Sequence, residues 1–176
     1  MTEKKAISNN TKDGESSELV IERIFDAPQA LVWKMWKKPE HLMRWWVPKG
    51  FSIKVVTMDF SPGGIFLYGL QSSDRNYVWG KFVYREIVPS ERIVFISSFT
   101  DEEGHLARNP MSPTWPREVL NTLTLDEHDG KTTLILRGGP HKATETERKT
   151  FEDAQAGVRM GFSKTFDQLA GYLVTL

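Results

Sequence analysis

The sequence has no cysteine, and this absence excludes disulfide bonds, a thiolate nucleophile and thiolate metal ligands. An excess of charge is also missing, because 23 lysines and arginines balance 23 aspartates and glutamates. No overall basic field is therefore present to hold nucleic acid or an anionic membrane surface. No apolar run approaches the roughly 18 residues that a membrane span needs, and no signal peptide begins the chain. The prediction is a cytoplasmic protein without nucleic-acid or membrane partners.

Motifs of common catalytic sites are absent as well. The chain contains no Gly-x-Ser-x-Gly elbow, phosphate loop or dinucleotide fingerprint. Metal-ligand spacing is not found among the four histidines, which are His41, His105, His128 and His141. The sequence therefore predicts no catalytic residue, no metal and no cofactor, while a base assembled in space from distant residues would leave no sequence pattern.

Aromatic residues, in contrast, are abundant, with 6 Trp, 10 Phe and 4 Tyr among 176 residues. A hydrophobic fraction of 39% is enough for a substantial core, and the length is that of one domain. Residues 1–17 are polar and have almost nothing to bury, which is typical of a disordered tail. The predicted domain therefore spans residues 18–176.

A long helix is predicted from about residue 144 to residue 176. This stretch has no proline, and its apolar residues recur at steps of three and four, which places them on one stripe. The stripe consists of Phe151, Ala154, Val158, Phe162, Phe166, Leu169 and Leu173. Gly157 and Gly161 share a face, and we expect them to let the sheet or a ligand approach closely. A helix of about thirty residues would be roughly 45 Å long and needs a broad surface to lie on.

The preceding sequence supplies such a surface. Alternating apolar residues predict a first strand over 19–26, and two short helices meet at Pro39. Further strands are predicted over 53–60, 65–70, 77–88, 92–99, 118–126 and 132–137, the last two joined by an Asp-Gly turn. This order predicts an α+β domain with an antiparallel sheet and helices on one face.

Residues 100–117 interrupt this pattern. The segment contains three prolines and a Trp115 that looks exposed, and it is too long for an ordinary hairpin loop. Two interpretations stay open, a lid or binding loop and an insertion without a function.

Several motifs resemble one known family. The opening motifs are residues 23–28 (RIFDAP), 31–33 (LVW), 39–42 (PEHL) and 44–46 (RWW). The later ones are residues 59–64 (DFSPGG), 86–93 (EIVPSERI), 161–162 (GF) and 166–169 (FDQL), with Phe162 where the family usually has tryptophan. The resemblance is to the family named after the activator of the heat shock protein 90 ATPase, in the START-like (SRPBCC) helix-grip superfamily, and it covers about residues 19–175.

This resemblance implies a helix-grip fold. A curved antiparallel sheet of about seven strands would surround the long C-terminal helix, and the two short helices after strand one would support one end. Such folds usually keep a cavity for an apolar ligand between sheet and helix. The predicted ligand-binding residues are Trp46, Phe66, Tyr68, Trp79, Phe99, Trp115, Asn121, Met160 and Phe162.

Asn121 is the polar member of this set. The residue shares a strand face with Val119, Leu123 and Leu125, so its amide is expected to be buried. A buried amide without a partner costs roughly 1–3 kcal/mol. Asn121 therefore either bonds a neighbouring side chain or water, or orients a ligand.

Three functions are compatible with the sequence. The favoured one is a small-molecule binding protein for an apolar or aromatic ligand. The second is a co-chaperone-like module in a stress response, with a chaperone partner whose ATPase it stimulates; the resemblance covers only a single helix-grip domain. The third is a hydrolase, cyclase or dehydratase acting on a ligand in the same cavity, and no acid-base motif supports it.

Overall fold

The computed structural model describes residues 18–176, so the predicted tail lies outside the described residues. The elements are β1 (Leu19–Phe25), α1 (Gln29–Lys37), α2 (Pro39–Trp45), β2 (Ser52–Met58), β3 (Ile65–Gln71), β4 (Tyr77–Val88), β5 (Arg92–Thr100), β6 (Val119–His128), β7 (Lys131–Pro140) and α3 (Glu145–Leu173). Each element begins and ends within a few residues of the position that its sequence pattern predicts.

The seven strands form one antiparallel sheet in the order β1-β7-β6-β5-β4-β3-β2. Register shifts between Val55 and Thr57 and between Tyr84 and Glu86 mark bulges, which bend a sheet. Asp129 and Gly130 join β6 to β7 with φ values of 52° and 76°, as a tight hairpin turn requires. α3 lies against β1, β7 and α2. The predicted α+β helix-grip fold is confirmed.

The two short helices carry a cluster of tryptophans into the core. Trp33 and Trp36 are 7% and 3% exposed, and Trp45 is fully buried. The Trp45 indole N–H donates to the Met35 carbonyl oxygen over 3.2 Å, and the ring lies 4.7 Å from Trp36. Pro39 begins α2 at a position where its missing N–H costs nothing. The cluster joins α1 and α2 into one support for the end of the sheet.

The predicted stripe of α3 faces the sheet. Phe151, Phe166, Leu169 and Leu173 are buried, and the other three stripe residues are half-buried. The expected close approach of the sheet to the helical glycines is wrong, since among the described residues a Cβ added at Gly157 or Gly161 would meet nothing within 4 Å. The approach of a ligand to these glycines stays a prediction. Both glycines lie at exposed positions of α3.

A capping box begins α3. The Glu147 N–H donates to Thr144 Oγ1, and the Thr144 N–H donates to Glu147 Oε2. Arg108 also donates to Glu147 Oε1 over 2.8 Å. Arg108 lies in the loop of residues 101–118 between β5 and β6, so the same carboxylate holds this 101–118 loop to the helix. The hydrogen bond from Arg108, followed by that from Thr144, lowers the pKa of Glu147 below its ordinary value of 4.5.

Glu147→Gln is expected to lower the free energy of unfolding at neutral pH by about 1 kcal/mol. Because the folded pKa is lowered, the carboxylate stabilises the fold above about pH 4.5 and loses this effect as the pH falls through the folded value. Urea unfolding of both proteins at several pH values measures the difference. Glu145→Gln, in the same helical turn, is the control. A difference independent of pH would contradict this role of the charge.

Candidate functional site

A cavity of about 890 Å³ lies between the concave face of the sheet and α3. Its walls come from β1 and β3 to β7, from the loop between β5 and β6, from α3 and from the segment after α2. Most lining side chains are apolar, and many are aromatic. Pro48, Lys49, Lys164 and Asp167 also line the cavity and are exposed, so its mouth opens between α3 and the turn after α2.

Glycines at paired strand positions leave room for larger side chains on the concave face of the sheet. Gly80 lies opposite both Tyr68 and Phe99, and an added Cβ there would lie 2.9 Å from the Tyr68 hydroxyl. Gly138 lies opposite Asn121, where an added Cβ would come within 3.0 Å of Oδ1. Each glycine thus accommodates a larger side chain on the neighbouring strand. The Tyr68 ring and the Asn121 amide thus lie over glycines of the neighbouring strands.

Tyr68 and Asn121 bring polar atoms to this largely apolar space. Burial raises the pKa of the Tyr68 phenol, against a smaller opposite effect of the hydrogen bond with Trp46. The phenol is therefore a neutral group at physiological pH. Asn121 Nδ2 donates to Ser97 Oγ over 2.9 Å and to the Val119 carbonyl over 3.0 Å. Of the two roles left open for Asn121, bonding to a neighbouring side chain is thus present.

Most of the predicted ligand-binding residues come together at the cavity. Seven of the nine line it, namely Trp46, Tyr68, Trp79, Phe99, Trp115, Asn121 and Phe162. Phe66 does not line it, because this fully buried ring lies against Tyr68 and Phe82 in the core. Met160 does not either, since its side chain is 63% exposed. Two helical positions before Phe162 correspond to a rotation of about 200°, which turns Met160 towards solvent. Ligand binding by the other seven stays a prediction.

Trp79 borders the cavity, but its ring does not share the concave face with the other aromatic wall residues on the sheet. Its ring packs over Gly69 and lies 5.2 Å from the Tyr77 ring, in a stacked arrangement. In the register of β3 and β4, Gly69 pairs with Trp79, whereas Tyr68 pairs with Gly80. The Trp79 ring therefore lies on the opposite face of the sheet from Tyr68.

Sequence reasoning missed several wall residues, among them Phe82, Phe95, Phe151 and Val158. The strand periodicity of two could have found Phe82, which shares the face of Gly80, and the helical stripe already contained Phe151 and Val158. Lys49 and Lys164 were also missed, and no sequence pattern connects them.

The 101–118 loop covers one end of the cavity. Trp115 is half-buried and its ring lies 5.3 Å from Phe151, so the expectation that it is exposed is wrong. Thr114 and Thr150 are joined by a hydrogen bond of 2.8 Å. Together with the bond from Arg108 to Glu147, these contacts hold the loop against the first turns of α3.

The described residues contain one group with the spacing of metal ligands, formed by Asp101, Glu103 and His105. All three ligand atoms lie within 4.8 Å of one another, but these side chains are in the loop, outside the cavity wall. His105 Nδ1 is 3.0 Å from Asp101 Oδ2, and the backbone N–H of His105 is the main cause that lowers the Asp101 pKa. His41, in contrast, joins α2 to α3 through a hydrogen bond of 2.7 Å with the Tyr172 hydroxyl.

The sequence model of one protein family matches residues 26–174, nearly the whole described part of the chain. The description of this family is "Activator of Hsp90 ATPase homolog 1-like protein". The chain belongs to this family. The match begins just after β1 and extends through the last residue of α3, so it includes every element that lines the cavity except β1.

Solved structures similar to this family member share its fold. A crystal structure of a Mycobacterium smegmatis protein is 26% identical, with a TM-score of 0.72, and the match covers 90% of this chain and 91% of that one. A solution structure from Arthrobacter aurescens is 24% identical, with a TM-score of 0.75, and the match covers 94% and 90%. A solution structure from Staphylococcus epidermidis is 24% identical, with a TM-score of 0.74 and 94% of both chains covered.

No curated protein matches this member of the Hsp90 ATPase activator homologue family. Among the described residues, none of the helices is both long and apolar enough to span a membrane.

Proposed function

We propose that this protein binds a small apolar or aromatic molecule in the cavity between the sheet and α3. The observation that carries this proposal is the cavity itself, with a volume of about 890 Å³ and a predominantly apolar lining that includes many aromatic residues. Ligand pockets typically have volumes of about 300–1,000 Å³, apolar walls and a few placed polar groups. The Tyr68 phenol and the Asn121 amide supply such groups here.

Packing energetics supports the same proposal. Protein interiors are normally filled to the density of organic crystals, and unfilled space costs stability. A cavity of this size is therefore a costly feature, which a bound ligand would offset. Its walls are held by fixed contacts, since Trp46 packs at 5.3 Å on Phe82 and at 6.1 Å on Phe162.

A fluorescence titration with N-phenylnaphthylamine, a neutral aromatic probe, tests the proposal. We expect saturable binding with one site per chain, and displacement of the probe by any ligand that copurifies and is detected by native mass spectrometry. Binding that is absent or does not saturate would count against a ligand-binding function. Stimulation of a chaperone ATPase, or turnover in a substrate panel, would instead support the co-chaperone or enzyme alternative.

Asn121→Leu is expected to weaken probe binding by a few fold, because it changes the shape and polarity of the wall next to Gly138. The same change removes the bonds from Asn121 to Ser97 and Val119, so it should also lower the free energy of unfolding by about 1–2 kcal/mol. Parallel titrations and urea unfolding measure both effects. Thr122→Leu, on the opposite face of β6, is the control. Equal probe affinity in Asn121→Leu and wild type would remove Asn121 from the binding site.

A further inference from the structure

The charged residues that line the cavity, among those that the structure describes, all lie at its mouth. They are Lys49, Lys164 and Asp167, and each is exposed. The other wall residues within the described range 18–176 are apolar or uncharged polar. A ligand that fills the cavity would therefore meet formal protein charge only where its end faces the opening.

Asp167 is already neutralised by another residue. Its Oδ1 accepts a hydrogen bond of 2.6 Å from Arg23 on β1. The two lysines have no such partner, since within residues 18–176 neither forms an ion pair or a hydrogen bond with a carboxylate. Among the described residues, the mouth thus carries two positive charges without an ion-pair partner.

Local structure holds Lys49 at this position. The Phe51 N–H donates to the Pro48 carbonyl over 3.0 Å, which closes a four-residue turn. Gly50 has a φ of 90°, the conformation that a type II turn requires at its third position. Lys49 is the second residue of this turn, so its backbone is fixed at the edge of the opening.

Lys164 is held by the geometry of α3. Gly161, Lys164, Thr165 and Gln168 line the cavity at steps of three and four, so they form one strip along the helix. Gln168 and Lys49 also border a shallow depression beside the mouth, and this depression is lined by Arg44 as well. Arg44 adds a third positive charge to the surface around the opening.

We propose that the ligand of this cavity is amphipathic, with an apolar body inside the cavity and one anionic head group, such as a carboxylate, between Lys49 and Lys164 at its mouth. This inference rests on the proposed ligand-binding function and deepens it. A charged head group at the mouth stays partly in water, so its desolvation costs little, while two cations attract it. A ligand that carried its charge at the buried end would meet no counter-charge from residues 18–176 there.

Two probes with the same aromatic body test the proposal, neutral N-phenylnaphthylamine and anionic anilinonaphthalene sulfonate. Both are titrated into wild type, Lys49→Gln/Lys164→Gln and the control Lys37→Gln/Lys131→Gln. The control removes two exposed lysines that do not line the cavity, so it changes the net charge equally. We expect the first variant to bind the anionic probe about fivefold more weakly while its affinity for the neutral probe stays within about twofold.

The outcomes separate this inference from the function on which it rests. If both probes bind the lysine variant and wild type equally, the cavity binds apolar ligands and the proposal of an anionic head group is wrong. An equal loss in the control variant would also overturn the assignment, because net charge alone would then explain it. Failure of both probes to bind wild type would overturn the ligand-binding function and the inference with it. Each single lysine variant is measured with melting curves, so that a folding defect in the double variant does not decide the result.

Discussion

Replacement of Trp45 by alanine is expected to lower the free energy of unfolding by about 3–5 kcal/mol, the range found for large aromatic residues in protein cores. Trp45 lies on α2, is fully buried and contacts both α1 and α3. Its ring lies 4.7 Å from Trp36 and 6.4 Å from Phe166 on α3, and its N–H bonds to the Met35 carbonyl. Alanine would leave a void where α1, α2 and α3 meet. Denaturant unfolding followed by circular dichroism measures the loss.

Two further variants separate the contribution of the buried Trp45 ring from that of its hydrogen bond. Met43→Ala lies on the same helix at an exposed position and should change stability by less than about 0.5 kcal/mol. Trp45→Phe keeps a ring but loses the bond to Met35, so its effect should lie between the two. If Trp45→Ala behaved like Met43→Ala, the tryptophan cluster would not support the end of the sheet.

Replacement of Val158 by tryptophan is expected to weaken probe binding about tenfold or more, equivalent to at least about 1.4 kcal/mol of binding free energy. Val158 lies on the α3 stripe, is half-buried and lines the cavity. An indole at this position would occupy space that the probe needs. In a fully packed core the same enlargement would cost about 1–3 kcal/mol of stability, whereas a cavity accepts the ring with little loss. Titration of the variant measures whether the indole blocks the probe, and thermal unfolding measures whether the interior accepts the indole. The two measurements therefore test independently whether this space is open.

Met160→Trp is the matched control for this variant. It introduces the same side chain two positions away on α3, at a residue that is 63% exposed and does not line the cavity. Its probe affinity and melting temperature should equal those of wild type. Unchanged binding in Val158→Trp, together with a large loss of stability, would indicate that this part of the interior is filled.

The secondary structure could be predicted because its signals are local. The α3 stripe follows the helical period, Pro39 separates α1 from α2, and the Asp-Gly pair at residues 129–130 marks the β6–β7 turn. Each signal depends on residues within one or two turns of the chain. The order of these elements, together with the family motifs, was then sufficient for the α+β helix-grip fold.

The candidate site was only partly predictable, because it depends on which residues face one another. Trp79 and Tyr68 both lie on strands, yet pairing with Gly69 and Gly80 places their rings on opposite faces of the sheet. Met160 lies two positions before Phe162 in the sequence but points to solvent. The aromatic residues of the sequence identified the strands and the helix that form the cavity wall. Strand register and the rotation of the helix determined which individual side chains face the cavity.

The sequence by itself determined the elements, their order and the apolar character of the interior, since these follow from propensity and periodicity along the chain. Only the tertiary structure decided where the interior stays open. The space depends on Gly80 and Gly138 facing larger residues on neighbouring strands. The charges at its mouth depend on a turn after α2 and a helix near the end of the chain, Lys49 and Lys164, lining the same opening. These contacts join residues that are far apart in the sequence. They form only when the chain packs, so no local sequence pattern predicts them.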